Sequence, residues 1–410
     1  MHGSLTWFSG VSTGARITPI LGHEYRGTTV ALGAGTMRIP LCSCLLPLVS
    51  LVAAAACSSS TGSTPPTADA STVADAGATD APSGASHTWL TRNVNLGFAV
   101  EPVIGASSVD QVPGLVAEAW ARMEQNDFAA RASLLADEIA STSPDAIGLQ
   151  EVALVTRTPA SGNAPIEYDY LAILQKALAA KGLKYVAVAT QKDTDVNVPM
   201  FAGMDGSGAP ILDGVRIVDR DVLLVREGLA TSRVESGRFK VGLPVSLGES
   251  SLEVVRGWVS AVVETKDGSV RFVSTHLEDM VPEARAAQAN ELLGLVAEEK
   301  LPVVLVGDFN AKPGTETPSL FTKAGFVDSW AQSNPNDPGF TCCQDVDLAK
   351  TLPFTERIDY VFVKDAASPS TIRGEVRGVL VGSDPKVRTP KGLWASDHAG
   401  YAASFPLPSR

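Results

Sequence analysis

Several polar residues of the sequence stand where an apolar, strand-like run ends or begins. These residues are Asn93, Glu151, His276, Asp308, Asn310, Asp359, Asp397 and His398. A rigid sheet can bring side chains at its strand ends together at one site. Carboxylates and amides can hold a hard cation, and a histidine can carry or transfer a proton near neutral pH. The residue types therefore indicate a metal-assisted or acid–base site at the edge of a sheet.

The elements that must position these residues can be read from the spacing of apolar residues after His87. Phe128, Leu135 and Ile139 recur at helical spacing, whereas runs such as LPVVLV and DVLLVR are typical of strands. The alternation of short strands with amphipathic helices predicts one α/β layered domain over residues 87–410. Residues 191–220 are rich in Asp, Gly and Pro, and we expect them to form a long functional or mobile loop.

Six segments carry a resemblance to a known family. They are NVNLG, GLQEV, STHLED, VGDFNAKPG, RIDYVF and ASDHAGY. In this order they resemble the endonuclease/exonuclease/phosphatase superfamily, which includes deoxyribonuclease I, abasic-site endonucleases, inositol polyphosphate 5-phosphatases and neutral sphingomyelinases. The resemblance runs from about Leu90 to Phe405. It implies a four-layer α/β sandwich, in which two packed β-sheets are flanked by helices. Arg92 departs from the pattern, because family members usually carry an aromatic residue there.

The resemblance implies a divalent metal site. Glu151 matches the family's metal-binding glutamate, Asn93 matches an asparagine that lies near the metal and the phosphate, and Asp397 matches a residue close to the metal. The implied ion is Mg²⁺, with Mn²⁺ as a second candidate. Such an ion keeps waters and substrate oxygens in its coordination shell because the protein supplies few ligands.

The resemblance also implies catalytic roles. Asp308 and Asn310 match the pair that orients the attacking water and contacts the phosphate. His398 matches the histidine at the phosphate, acting as a base or as a stabilising cation, and Asp359 matches its carboxylate partner, which would raise the pKa of the imidazole. His276 matches a second histidine, present in the deoxyribonuclease and sphingomyelinase branches, that donates to a phosphate oxygen. Asp221 and Arg220 are candidates to support it.

From residue types alone, simpler explanations of these positions stay open. Asp308 and Asn310 would also suit a β-turn, Glu151 could be a solvated strand end, and Asp359 could cap its strand. The adjacent Cys342 and Cys343 are expected to be loop structure, either as a vicinal disulfide or as buried thiols. The sequence contains no CxxC pair, which argues against a structural zinc site.

The N-terminal region is typical of an export signal. An uncharged apolar run over 39–56 follows Met37 and Arg38 and ends in small residues before Cys57. The pattern predicts a lipoprotein signal peptide over 37–57 with Cys57 as the lipidated residue; a cleaved secreted protein and a retained membrane anchor are the alternatives. Residues 1–36 are expected to be an upstream extension, and 58–86 a disordered tether. The expected location is the bacterial cell envelope, bound to the membrane through the lipid.

The net charge of the chain limits the classes of function that the sequence favours. The net charge of -12 argues against a protein that binds nucleic acid with a broad basic face. Our first hypothesis is a metal-dependent phosphoesterase, most simply a monomer, that acts on a small or lipid-linked phosphate ester outside the cytoplasm. The alternatives are an exported DNA or RNA endonuclease and a noncatalytic binding module on the same fold.

Overall fold

The computed structural model describes residues 85–247, 250–365, 367–368 and 370–407. The predicted signal peptide, Cys57 and nearly all of the tether lie outside these residues. The strands are β1 (Ser86–Asn93), β2 (Ala146–Gln150), β3 (Leu154–Thr158), β4 (Ile166–Asp169), β5 (Tyr185–Met204), β6 (Pro210–Arg226), β7 (Ala230–Arg238), β8 (Leu243–Leu247), β9 (Ser250–Val254), β10 (Gly257–Thr265), β11 (Gly268–His276), β12 (Val303–Asp308), β13 (Val327–Asp328), β14 (Asp359–Lys364), β15 (Arg377–Val381) and β16 (Gly400–Pro406). The helices are α1 (Glu101–Ile104), α2 (Val112–Gln125), α3 (Phe128–Thr142), α4 (Tyr170–Ala180), α5 (Pro282–Leu295), α6 (Glu316–Lys323) and α7 (Ser329–Ser333), with a 3-10 turn at Val109–Gln111.

Two large sheets form the centre of the fold. The first has the strand order β15-β16-β1-β2-β6-β3-β4, with β5 paired to β6. The second has the order β13-β14-β12-β11-β10-β7, and β8 and β9 form a separate hairpin. In each sheet a parallel pair, β1 with β2 and β11 with β12, lies among antiparallel neighbours.

Three apolar clusters define the layers. Trp89, Leu223, Val259 and Val304 belong to one cluster that lies between the two sheets. A second cluster packs α2, α3 and α4 against the first sheet, and a third packs α5 and α6 against the second. Helices therefore cover the outer face of both sheets, which confirms the predicted four-layer sandwich.

The sheets approach closely beside the polar strand ends. A Cβ placed on Gly148 in β2 would lie 2.6 Å from Val306 Cγ2 in β12, so only glycine fits there. The close packing lets Gln150 Nε2 donate to Ser274 Oγ of β11 at 3.0 Å. The ends of β2, β11 and β12 are thereby held at one edge of the sandwich.

The expectation of a loop over residues 191–220 was wrong. β5 and β6 form a long antiparallel hairpin that continues as far as the pair Met204 and Pro210. The register shifts between Lys192 and Asp195 and again between Phe201 and Gly203, so bulges accommodate residues that are poor strand formers. Within the described residues, no helix combines the length and the apolar composition needed to cross a membrane.

Candidate active site

Asn93 joins the two sheets at the site. It is the last residue of β1, is fully buried, and is paired in parallel register with Gln150 of β2. Its Nδ2 donates to Glu151 Oε1 at 2.9 Å and to Asp308 Oδ2 at 3.2 Å. Glu151 follows the first sheet's β2, whereas Asp308 ends β12 of the second sheet. One amide therefore holds carboxylates of both sheets in a single cleft.

The backbone conformation of Glu151 and a second hydrogen-bond donor, besides Asn93, position its carboxylate. Its φ of 60° lies in the left-handed region, which costs free energy for a residue with a side chain. The backbone N–H of Leu96 donates to Oε2 at 2.6 Å. Burial, followed by the nearby carboxylates of Asp397 and Asp219, raises the pKa of Glu151 to about 7. A partly buried carboxylate that faces other acids fits a site for a divalent cation, since the cation would offset this repulsion.

His398 and Asp359 form a buried pair on the other side of Asp308. His398 Nδ1 lies 2.9 Å from Asp359 Oδ2, and Nε2 lies 3.7 Å from Asp308 Oδ2. Burial opposes a charged ring, but the carboxylates of Asp359 and Asp308 outweigh it and raise the pKa of His398 well above its ordinary value. The arrangement favours an imidazolium that can face an anion, rather than a free base.

Asp308 lies between the two histidines. Antiparallel register places it opposite Asp359, and parallel register places it opposite His276. Burial, and then the charge of Asp359, raises the pKa of Asp308 to about 7, while His398 opposes the shift. The backbone of Asn310 adopts a left-handed conformation with a φ of 48°. Its N–H donates to Asp308 Oδ1 at 2.9 Å. Asp308 can therefore exchange a proton near neutral pH.

Arg256 favours one tautomer of His276. Arg256 Nη1 lies 3.1 Å from His276 Nδ1, and because a guanidinium can only donate, Nδ1 must accept. The proton is then on Nε2, which lies 3.6 Å from Asp308 Oδ2. Asn310 Nδ2, which is also a donor, lies 3.1 Å from Nε2 and donates to Leu277 O at 2.9 Å, so the preference for the proton on Nε2 rests on the contact with the charged Arg256. Burial and the charges of Arg256 and His398 lower the pKa of His276 well below its ordinary value.

Arg256 was not singled out from the sequence. Its guanidinium pairs with Asp219 at 3.2 Å and with Asp279 at 3.5 Å. It stands just before β10, where a single basic residue carries no recognisable pattern. The two proposed supports for His276 do not hydrogen-bond its imidazole: Arg220 donates to Val152 O, and the buried Asp221 carboxylate lies beside the backbone N–H of His276 and not beside its ring.

Arg92, the departure from the family pattern, is part of the scaffold of the site. It is 1% exposed, and its Nε donates to Glu138 Oε2 on α3 at 2.8 Å. Its Nη1 donates to the backbone carbonyl of His398. The charged pair of Arg92 and Glu138 thus links β1, α3 and the segment that carries His398.

A cavity of about 550 Å³ opens onto these residues. Six of the eight predicted site residues line it: Glu151, His276, Asp308, Asn310, Asp397 and His398. Asn93 and Asp359 lie behind them as hydrogen-bond partners. Cys342 and Cys343 form a vicinal disulfide; Cys342 bridges to the His398 backbone and Cys343 lines the cavity. The structure therefore brings together every predicted site residue except Cys57, which lies outside the described residues.

A family model matches most of the chain that the structure describes. Residues 93–398 match the model of the Endonuclease/Exonuclease/phosphatase family. No curated protein matches significantly. The chain is similar to TDP2 from Caenorhabditis elegans, with 16% identity, a TM-score of 0.43 and coverage of 78% of this chain and 98% of that one.

Two bacterial structures are similar to the same extent. An endonuclease/exonuclease/phosphatase family protein from Leptotrichia buccalis has 15% identity and a TM-score of 0.46, with coverage of 78% of this chain and 100% of that one. A mannosyl-6-phosphatase from Bacteroides thetaiotaomicron has 19% identity and a TM-score of 0.44, with coverage of 77% and 98%. The family match spans from Asn93 to His398, the first and last residues of the site just described, and the chain belongs to the Endonuclease/Exonuclease/phosphatase family.

Proposed function

We propose that this protein is a divalent-metal-dependent hydrolase of phosphoric esters, in which water attacks in line with the leaving oxygen. The observation that carries the proposal is the convergence on Asp308. Asn93 links it to Glu151, and His398 and His276 approach it from two sides at 3.7 and 3.6 Å. Acids, amides and two differently protonated histidines around one cleft are what attack on a phosphate needs.

The metal would be held by Glu151 and Asp397, with Asn93 beside it, and Mg²⁺ or Mn²⁺ suits these oxygen donors. The raised pKa of Glu151 supports the assignment: burial and then the neighbouring carboxylates of Asp397 and Asp219 disfavour its charge, and a bound cation would offset both effects. When bound, the ion supplies charge neutralisation at the phosphate and the leaving oxygen.

The remaining steps fall to the protein's own side chains. Asp308 accepts a hydrogen bond from the attacking water and orients it, and its pKa near 7 lets it take the proton. His398, held by Asp359, presents a positive N–H to a phosphate oxygen. His276 donates from Nε2, and Asn310 adds a neutral donor where a further carboxylate would repel the anion.

The substrate we favour is a small or lipid-linked phosphate ester. The bounded cavity and the net charge of -12 support a compact ester more than a long polyanion. We further propose that the enzyme acts as a monomer in the bacterial cell envelope, anchored through a lipid on Cys57. The support is the sequence pattern at 37–57; fatty-acid labelling should mark the native protein, and labelling that persists in Cys57→Ser would contradict the anchor.

The central test is metal-dependent hydrolysis by the full-length protein. We expect cleavage of bis-p-nitrophenyl phosphate with Mg²⁺ or Mn²⁺, and its loss with a chelator. Glu151→Gln keeps the size of the side chain but removes its charge, so it should need about 10- to 100-fold more metal or lose activity. Glu118→Gln, at an exposed position on α2, makes the same change in net charge and should behave like the wild type. Equal metal dependence in Glu151→Gln and the wild type would contradict the assignment.

A further inference from the structure

The cavity has two chemically different sides. Its polar side holds the residues of the candidate site, and its other side is lined mainly by aliphatic side chains. The residues on which the argument depends are Val100, Val103, Ile104, Val196, Ile217 and Val254. Val103 and Ile217 are 7% and 5% exposed, and the other four are partly buried. This aliphatic wall is therefore accessible from the cavity while it rests on the core.

The wall is continuous with the polar site. Val196 on β5 is paired with Ile217 on β6, and Asp219 follows two residues later on the same strand face. Asp219 accepts from Arg256, whose guanidinium contacts His276. Val196, Asp219 and His276 line the same cavity, so a group bound at Val196 would lie beside a phosphate held at the polar site.

Charge on the cavity lining does not suit a second phosphate. Among the described lining residues, Arg122 and Arg256 are the arginines, and no lysine lines the cavity. Arg122 pairs with Asp347 at 3.2 Å, and Arg256 pairs with Asp219 and Asp279. A nucleic acid strand would bring neighbouring phosphates that need free cations. The two guanidiniums already have carboxylate partners.

Stacking surfaces for a nucleobase are also scarce. Phe98 is the aromatic side chain, other than histidine, among the described lining residues, and it is 4% exposed. Bases are held by stacking on accessible aromatic rings and by polar groups at their edges. Valine and isoleucine side chains instead favour saturated carbon, through burial of apolar surface.

We propose that the aliphatic wall binds an alkyl chain of the substrate, so that the preferred substrate is a phosphate ester with an aliphatic group close to the scissile phosphorus. The inference rests on the proposed function and specifies its substrate class. Because the wall lies beside the polar site, the chain is buried while the phosphate faces His398 and Asp308.

A series of esters with one leaving group tests the proposal. The probes are methyl, butyl and hexyl p-nitrophenyl phosphate, with Mg²⁺ and the full-length protein, below the concentrations at which the hexyl ester forms micelles. The leaving group is constant, so differences in kcat/KM report on the alkyl group. Complete burial of a methylene is worth about fourfold, and on a partly open wall we expect about twofold for each, or roughly 30-fold from methyl to hexyl.

Substitutions locate the effect. Val196→Thr keeps the shape but adds a hydroxyl, and should lower the hexyl-to-methyl ratio about threefold or more. Ile104→Thr, on α1 and in the lining of the same cavity, provides a second variant should the first fold poorly. Val186→Thr is the matched control: it lies on the same strand β5, is 50% exposed and does not line the cavity, so it should keep the wild-type ratio.

The outcomes separate the two proposals. A flat alkyl series in an active enzyme, or faster cleavage of plasmid DNA than of the hexyl ester, overturns the alkyl-chain inference and leaves the phosphoesterase intact. An unchanged ratio in both Val196→Thr and Ile104→Thr overturns the assignment to this wall. No hydrolysis of any ester, including bis-p-nitrophenyl phosphate, with Mg²⁺ or Mn²⁺ overturns the proposed function and the inference with it.

Discussion

At the scale of single residues, the contact between Arg256 and His276 has a consequence that can be measured. Arg256→Met removes the donor to Nδ1, so the imidazole should no longer be confined to the Nε2–H tautomer, and its pKa should rise because a nearby positive charge is lost. Activity should fall about 10- to 100-fold, as is typical for a residue that orients a ligand or catalytic group. Imidazole ¹⁵N NMR reports the tautomer directly. Arg216→Met, at an exposed pair with Asp195, controls for the lost charge, and an unaltered tautomer in Arg256→Met would refute the orienting role.

The pair of Asp359 and His398 should act as one unit. Loss of either residue should slow turnover about 10²–10⁴-fold, and loss of both should cost little more than His398→Ala alone. The carboxylate raises the pKa of His398, so Asp359→Asn should lower that pKa. If the imidazolium is the active form, activity is lost as the pH rises through its pKa, and the variant's alkaline limb moves to lower pH. Measurement of kcat/KM for the four members of the cycle, from about pH 5 to about pH 10, checks both points. Independent, multiplying losses with a fixed limb would indicate that Asp359 only caps its strand.

The residues of the site differed in how far the sequence could predict them. Glu151, Asp308 and His398 were recognisable because each lies in a segment whose neighbours also fit the family pattern. Arg256 was not recognisable, since its role depends on packing between β10 and β11 and not on its neighbours in sequence. Arg92 was visible only as an exception, because the acid that compensates it, Glu138, lies 46 residues away.

At the scale of elements, the hairpin of β5 and β6 shows where a composition argument fails. Asp, Gly and Pro predict turns because of their local preferences. Here Asp193 and Gly203 fall at or next to bulges, and the backbone is satisfied by pairing with a long partner strand. Cross-strand pairing is a non-local interaction, so the composition of one segment does not reveal it. The short apolar strands, such as β12, were predictable because burial on both faces leaves a continuous apolar run.

The end of strand β12 provides a stability prediction at the same scale. Gly307 has a φ of 151°, and a Cβ there would overlap the Thr275 carbonyl oxygen of β11. Gly307→Ala should therefore lower the free energy of unfolding by roughly 3 kcal/mol or more, and displace Asp308. Gly294→Ala is the matched control, because a Cβ on this residue of α5 meets nothing within 4 Å. It should be neutral or stabilising by about 0.5–1 kcal/mol. Urea unfolding compares the free energies of unfolding of the two variants. Equal values would show that the backbone of β11 at Thr275 can shift to accommodate the added methyl group.

At the scale of the whole molecule, the layering was predictable and the substrate was not. Alternating strands and amphipathic helices predict helices that cover the outer face of each sheet, and family segments indicated the two-sheet arrangement. The aliphatic wall combines residues of α1 with residues of β5, β6 and β9, which are far apart in sequence. No single segment contains the wall, so only the folded chain shows that these residues line one cavity.

Net charge leads to the last prediction, on salt dependence. A protein of net charge -12 weakly repels an anionic substrate, and salt screens that repulsion. With Mg²⁺ saturating, kcat/KM for the hexyl ester should change by no more than about twofold between about 50 and about 200 mM KCl, and any change should be a rise. A nuclease that neutralises many phosphates would lose about 10³–10⁵ in affinity over the same range. Titration of plasmid DNA at both salt concentrations is the paired measurement. A steep, salt-sensitive affinity for DNA would favour the nuclease alternative. The cations that bind the DNA would then lie outside the cavity, because Arg122 and Arg256 are already paired with carboxylates.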